Sequence, residues 1–392
     1  MTETADIVII GGGVMGVSIA HHLALAGVGS VRVLEKSFVG AGSSGRSGAI
    51  IRQHYSTRLL VEMARQGVVT FRDFQSHTAA ESGWDNAGCL FVVAGRDREA
   101  ASGNVELMRS AGADASLRSG GSLSEVAPGA TFEDDEVGAW ESEAGYVDPA
   151  LVLHGYAASA RRSGAQIDER VEVSEVEIVQ GRIRSVLTGR RRIETRNVVL
   201  CAGPWAGKLA ARAGIDLPLT VVRPQVAFHR RPGDFNDPHP VIGDLVNGYY
   251  CRPDSGGRTL VGALDIADDE VIQDPDHYYQ SASGQFCDWT REQIAKRYPA
   301  MSRSFGRGGY SGLYTLTPDS HPILGESPGV RGLYLAVGFS GHGFKLSPAV
   351  GRGIAELITT GAYQTLDLTP LRATRFADGE PIAAAYQYGL LS

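Results

Sequence analysis

Cysteine is scarce in this chain. The four residues, Cys89, Cys201, Cys251 and Cys287, lie far apart with no C-x-x-C pair. That spacing suggests neither a zinc knuckle nor a disulfide framework, and it suits a reducing, cytoplasmic compartment. Long apolar runs are missing too, since nowhere do about 18 apolar residues follow one another. The first apolar run, ADIVIIGGGVMGV, has no basic leader and breaks at glycines, so neither a membrane span nor a signal peptide is expected. Positive charge is in deficit, with 37 Lys and Arg against 44 Asp and Glu for a net charge of −7. This balance argues against nucleic acid as a partner. The one basic cluster, Arg190-Arg191-Arg192, reads as a solvated turn. No internal repeat or low-complexity tract appears.

Glycine, by contrast, is in excess at 50 of 392 residues, as expected where backbone must approach something closely. The length predicts two domains. Asp6 to Ile10 is a nearly continuous apolar run, as a strand buried on both faces should be. It leads into Gly11-Gly12-Gly13-Val14-Met15-Gly16, a G-x-G-x-x-G pattern, and then into a helical pattern closed by Gly27. Gly11 allows the tight turn, Gly13 lets backbone approach a pyrophosphate, and Gly16 lets helix pack on strand. The next strand, Val31 to Leu34, ends in Glu35, where an acid takes ribose hydroxyls. Strand, loop, helix, strand and acid in register predict dinucleotide binding. His21 and His22 are expected on the solvent side of that helix, with no metal role.

A second small-residue loop, Gly40 to Gly48, leads into Ala49-Ile50-Ile51-Arg52-Gln53-His54-Tyr55. Its hydroxyls and amides suit a pyrophosphate or ribityl chain, with Arg46 as a phosphate partner. Further on, Cys89 to Val93 reads as a strand and Arg98 to Ser110 as a helix. The acidic run Glu133 to Glu136 reads as a solvated loop. Asp148 and Pro149 start a helix to about Ser163 as N-cap and first residue. A small meander follows from Val171 and feeds a strand ending at Cys201. Residues around 221–228, 249–251 and 259–262 read as antiparallel strands, separated by turns at Arg252-Pro253-Asp254 and Gly256-Gly257. Near the end, the strand Leu333 to Val337 runs into GFSGHGFKLSP (338–348). Ser347 and Pro348 are expected to start the last helix, with Lys345 just before it. No second complete G-x-G-x-x-G follows a strand, so an NAD(P)H site is not supported.

Taken together, GGGVMG with LEK, GAGSSGRSGAIIR, LCAGPWAG, YTLTPDSHPILG and GFSGHGFKLSP resemble the FAD-dependent amino-acid and secondary-amine oxidoreductases of the D-amino-acid oxidase superfamily. The likeness is to sarcosine oxidases above all, including the β subunits of multi-subunit forms. It implies an α/β chain with a Rossmann-like FAD-binding domain of the glutathione-reductase type over 1–85, 146–216 and 313–392. A second, α+β substrate domain built on an antiparallel sheet would occupy 86–145 and 217–312.

The resemblance also implies the site. FAD would be held by Gly11, Gly13, Val14, Met15 and Gly16, by Glu35 and Lys36, and by Gly42, Ser43, Ser44, Arg46 and Ser47. Val171 would present its backbone to the adenine. Ala202, Gly203, Trp205 and Gly312 would border the flavin, as would Gly338, Ser340, Gly341, His342, Gly343, Phe344 and Lys345. Arg52 and Lys345 would grip a substrate carboxylate, Tyr314 would face the substrate, and His54 and Tyr55 would line the pocket. Gly312 stands where monomeric sarcosine oxidases carry a flavin-linking cysteine, and the N-terminal tethering histidine of dimethylglycine dehydrogenase relatives is missing, so FAD should be noncovalent. Leu260 aligns with those oxidases' oxygen-activating lysine, which leans the chain toward a dehydrogenase.

The activity implied is oxidation of a small amino acid or N-alkyl amino acid to an imine by hydride transfer to flavin N5, followed by hydrolysis. Oxygen or another carrier would take the electrons. A 2-hydroxy-acid dehydrogenase and a flavin-binding subunit or assembly factor of a larger complex stay open as alternatives, as does homo- or hetero-oligomer formation.

Overall fold

Ile7, Val8, Ile9 and Ile10 are all buried and form an inner strand of a six-stranded sheet. The computed structural model describes residues 2–235, 238–265 and 269–383. The sheet runs Ile323–Glu326, Leu333–Val337, Asn197–Leu200, Ile7–Ile10, Val31–Glu35, Gln166–Glu169. Its pairs are parallel except that between Ile323–Glu326 and Leu333–Val337. Side chains alternate across a strand, and here the alternation feeds two cores. Ile7 and Ile9 join the helices Val14–Leu25, Arg58–Arg72, Pro149–Arg162 and Gly343–Thr360. Val8 and Ile10 instead meet Val176, Ile183 and Val186 of a four-stranded sheet on the opposite face. A parallel sheet covered on both faces is what the continuous apolar run requires.

The eight-stranded sheet has the order Phe305–Ser311, Gln225–Arg230, Arg258–Ala263, Tyr249–Asp254, Val241–Asp244, Cys89–Val93, Val137–Glu141, Ala115–Ser119. Its pairs are antiparallel apart from Val241–Asp244 against Cys89–Val93. That parallel seam joins strands from two separate excursions of the chain, one before and one after the strand Asn197–Leu200. The architecture is a Rossmann-like domain with a second, α+β domain. Among the described residues no helix is long and apolar enough to cross a membrane.

Several local expectations are corrected. His21 is buried, with Nδ1 3.0 Å from the Ser159 hydroxyl, and His22 is half-buried, with Nδ1 3.1 Å from the Ser18 carbonyl. Their helix is covered by both Pro149–Arg162 and Gly343–Thr360, so it has less solvent face than its sequence suggests. Glu136 is not solvated. It pairs in the interior with Arg297 at 2.6 Å, and Arg297 also holds the buried Asp244 at 2.9 Å. Arg252-Pro253-Asp254 is not a turn but lies within a strand, with Pro253 opposite Thr259. The reversal falls at the following Ser255–Gly257, where Gly256 and Gly257 supply left-handed φ values of +68°.

Candidate active site

Two strand-loop-helix units meet at the site. In the first, Gly11 has φ +113°, and a Cβ there would stand 2.6 Å from the Cys201 carbonyl oxygen. A Cβ on Gly16 would reach 1.9 Å from the Gly11 carbonyl, and one on Gly13 would reach 3.1 Å from the Ser44 hydroxyl. The loop is therefore bare backbone at the start of the helix Val14–Leu25, where unpaired N–H groups and the helix dipole favour an anion. Ser44 Oγ accepts the Val14 N–H at 2.9 Å, which ties the second loop to the first. The Met15 Cε lies 3.2 Å from where a Cβ on Gly343 would stand.

Glu35 turns back on this loop. One of its carboxylate oxygens accepts the Gly12 N–H at 2.7 Å and the other accepts the Ser37 N–H at 2.8 Å. Its carbonyl accepts the Val171 N–H at 2.9 Å. Arg46 spans the second loop, donating to the Ala41 carbonyl at 2.6 Å and to Gln280 at 2.9 Å. Ser43 donates to the Leu313 carbonyl at 2.7 Å, and Ser47 Oγ accepts the Ala49 N–H at 3.0 Å. A Cβ on Gly42 would lie 3.5 Å from the Trp205 ring. Trp205 donates to Asp276 at 3.0 Å, while Lys36 lies 4.2 Å over its ring and pairs with the same Asp276. Ala202 precedes a short turn in which Gly203 has φ +51°. The Gly312 N–H donates to the Pro224 carbonyl at 3.1 Å.

The second unit begins at the strand Leu333–Val337. Gly338, Ser340 and Gly341 all have left-handed φ values, +69°, +46° and +83°. Ser340 is held there by its N–H to the Thr315 carbonyl at 2.9 Å and by the Thr317 N–H to its hydroxyl at 3.2 Å. The helix then starts at Gly343, four residues before the expected Ser347. Pro348 lies inside it. Proline has no N–H for the Phe344 carbonyl, but the Ser347 hydroxyl donates to that carbonyl at 2.8 Å. Lys345 consequently lies in the first helical turn and is buried.

Between the units and the large sheet is a cavity of about 90 Å³. Ser47–Ile50 and Gly341–His342 line it, together with Phe91, Tyr250, Leu264 and Tyr314. Arg52 and Lys345 both reach it. The Arg52 guanidinium donates to the His54 carbonyl and lies 4.8 Å from the Tyr55 ring centre and 4.9 Å from that of Phe91. Lys345 Nζ donates to the Tyr55 hydroxyl at 3.2 Å, and that hydroxyl lies 3.0 Å from His342 Nδ1. Burial, reinforced by Arg52, pushes Lys345 well below the usual lysine range. Burial also raises the Tyr55 phenol to about 12, so it stays protonated.

Of the expected pocket residues, Arg52, Tyr314 and Lys345 line the cavity, whereas Tyr55 stands behind Lys345. His54 stacks on Phe91 at 4.5 Å and does not line the cavity, and burial with the Arg52 charge holds it neutral with a pKa of about 3. Sequence reasoning missed Phe91, Cys89, Tyr250 and Glu141. Tyr250 carried a signal: period two along Tyr249–Asp254 sends Tyr249 into a separate core cluster and Tyr250 to the opposite face, where its hydroxyl bonds Tyr314. Glu141 is fully buried and accepts the Gln53 N–H at 2.6 Å.

The family model "FAD dependent oxidoreductase" matches residues 6–357. The mitochondrial sarcosine dehydrogenase of Mus musculus is 27% identical over 92% of this chain, though the match spans only 40% of that protein's length. The sarcosine oxidase subunit beta of Rhizobium meliloti is 28% identical over 95% of this chain and 89% of its own. Among solved structures, L-proline dehydrogenase from P. horikoshii superposes with a TM-score of 0.89 at 28% identity, covering 97% of this chain and 100% of that one. FAD fits what is present: glycines at which a Cβ would strike backbone leave a cradle for a diphosphate, and the second glycine loop opens beside it. The match over nearly the whole length, with this cradle, shows that the chain belongs to the FAD dependent oxidoreductase family and is an FAD-binding oxidoreductase.

Proposed function

We propose that this enzyme oxidises a small amino acid or N-alkyl amino acid at the carbon beside nitrogen, giving an imine that water hydrolyses. The observation that carries this reading is the convergence of two buried basic side chains, Arg52 and Lys345, on one small cavity between the glycine loops. Two basic groups lining one small pocket suit a carboxylate, which Arg52 grips with its planar fork and Lys345 meets as a point charge once protonated. Gripping that end fixes the distance of the substrate carbon from the flavin-side backbone, Gly48 to Ile50 and Gly341 to His342. No Asp or Glu lines the cavity among the described residues. The Arg52 guanidinium beside this acid-free wall disfavours a charged substrate nitrogen, which favours the uncharged form and frees the lone pair that assists hydride loss. Bound FAD supplies the hydride acceptor.

The relatives support the substrate class, since sarcosine and proline are both secondary amines bearing a carboxylate. Phe91, Leu264, Tyr250 and Tyr314 give an N-alkyl group an apolar and aromatic wall. We read Gly11–Gly16 as the diphosphate cradle, Glu35 as the ribose acceptor, and the Gly338–Gly343 loop as the flavin support, with FAD held noncovalently because Gly312 offers no thiol. Leu260 Cδ2 lies 3.9 Å from where a Cβ on Gly48 would stand. An apolar side chain there, where related oxidases have lysine, supports a carrier other than oxygen as acceptor. The match to a sarcosine oxidase β subunit supports assembly with further subunits.

The test is an anaerobic titration of the flavin spectrum with glycine, sarcosine, proline and 2-hydroxy acids. Bleaching by at least one amine and by no hydroxy acid is expected. A flavin that no amine bleaches would refute the reading, and bleaching by a hydroxy acid alone would transfer it to the alternative chemistry.

A further inference from the structure

Glu141 ends the strand Val137–Glu141, is fully buried, and has no counterpart in the roles above. Its Oε2 accepts the Gln53 backbone N–H at 2.6 Å and lies 3.4 Å from the Gln53 side-chain nitrogen. The His54 backbone N–H also points to this carboxylate. The same short turn carries Arg52, whose guanidinium is folded onto the His54 carbonyl. One buried acid thus holds the backbone that aims the carboxylate anchor.

The groups around Glu141 come from four places. The turn contributes Arg52, His54 and Tyr55, and the adjacent strand contributes Cys89, directly opposite Glu141 in register. The strand on its other side offers only Ala115. The late helix contributes Lys345, which feels the Glu141 charge. His54 is neutral, while Tyr55 and Cys89 stay protonated because burial raises both. The balance therefore lies among Arg52, Glu141 and Lys345. A buried acid near the guanidinium offsets part of its charge, so that Lys345 as well as Arg52 answers an incoming anion.

We propose that Glu141 is a positioning residue for the anchor: it fixes the Arg52–His54 turn and supplies the buried negative charge that lets Lys345 take up a proton when the substrate carboxylate binds. The inference rests on the carboxylate-binding reading of the cavity. Burial and Arg52 favour uncharged Lys345 in the free enzyme, while a bound carboxylate and Glu141 both favour its ammonium. Binding of an anion then consumes a proton, and affinity falls as pH rises between the free and bound pKa values of the cluster. Burial also lifts the Glu141 carboxyl to about 7, so the charge it lends Lys345 is present above about pH 7, and below that the two groups take up the proton as a coupled pair.

The experiment measures binding of propionate, a carboxylate without an amine, to the FAD-loaded enzyme and to Glu141→Gln. Affinity comes from the perturbed flavin spectrum between pH 6 and about 9.5, and proton uptake from calorimetry in buffers of different ionisation enthalpy. In wild type, affinity should fall about tenfold per pH unit across the window, with close to one proton taken up. In Glu141→Gln, which keeps an oxygen acceptor for Gln53, the window should move down by about one unit, because Lys345 loses the charge that supports its ammonium. Wild-type binding without proton uptake would overturn the proposal whether or not the variant folds. An unmoved or raised window in a folded, FAD-loaded variant would also overturn it. A wild-type enzyme that binds no carboxylate at any pH would instead refute the substrate reading beneath it.

Discussion

The two glycine loops, Gly11–Gly16 and Gly338–Gly343, are separated by more than 300 residues, yet their strands flank one shared neighbour, Asn197–Leu200. Each runs from a buried strand through glycines into a long helix, and the two helices pack on each other. A Cβ on Gly351 would stand 2.2 Å from the Ser18 hydroxyl, which donates to the Ser347 carbonyl at 2.8 Å. They differ in what the helix start presents. The first offers backbone alone, with no charged side chain in its opening turn. The second places a buried lysine there, hydrogen-bonded to Tyr55. On the proposed reading, one motif used twice gives a diphosphate cradle in one case and a flavin support that also reaches the substrate in the other. Cofactor retention then belongs to the first loop and substrate anchoring to the second.

The largest expected effect comes from filling the first loop. Gly16→Ala puts a methyl 1.9 Å from the Gly11 carbonyl. Helix and strand must then separate, at a cost of about 1–3 kcal/mol or more. FAD content, read from the ratio of flavin to protein absorbance, should fall at least about tenfold. The second loop should respond differently: Lys345→Met should keep FAD while kcat/KM for the best amine falls about 100-fold, equivalent to roughly 3 kcal/mol. Tyr55→Phe removes the hydroxyl between Lys345 and His342, and stopped-flow reduction should slow about tenfold. Ser347→Ala removes the hydroxyl that caps the Phe344 carbonyl ahead of Pro348. It should cost about 1 kcal/mol and lower Tm by about 2 °C, with activity retained. If Gly16→Ala and Lys345→Met lose the same property, the division between the loops is wrong.

The first loop was almost fully legible in the sequence because its determinants are local. A continuous apolar strand, three glycines in register, a helical pattern and Glu35 all fall within residues 6–35. The second was legible as a loop but not in its helix start. Ser347 and Pro348 resemble a cap and first turn, and only the Ser347 hydroxyl replacing a lost N–H explains a proline inside the helix. Harder still were contacts between distant segments. Gly67 looks like an ordinary helix-interior glycine until a Cβ there is seen to reach 2.1 Å from the Lys345 carbonyl. Glu136 sits in an acidic run that reads as solvent-facing, yet its partner Arg297 lies 161 residues on. Glu141 shows no pattern at all in the sequence, since its significance depends on Gln53 and Lys345 arriving from separate elements. Periodicity reports which face is buried; it does not report which buried polar groups will meet.

An anaerobic amine titration of wild type and Lys345→Met side by side tests whether the second glycine loop carries the substrate anchor. Wild-type flavin should bleach with a small secondary amino acid, and the variant, equally yellow, should need about 100-fold more of it. Equal half-saturation in the two proteins, with FAD equally bound, would contradict the placement of the substrate anchor on the second glycine loop.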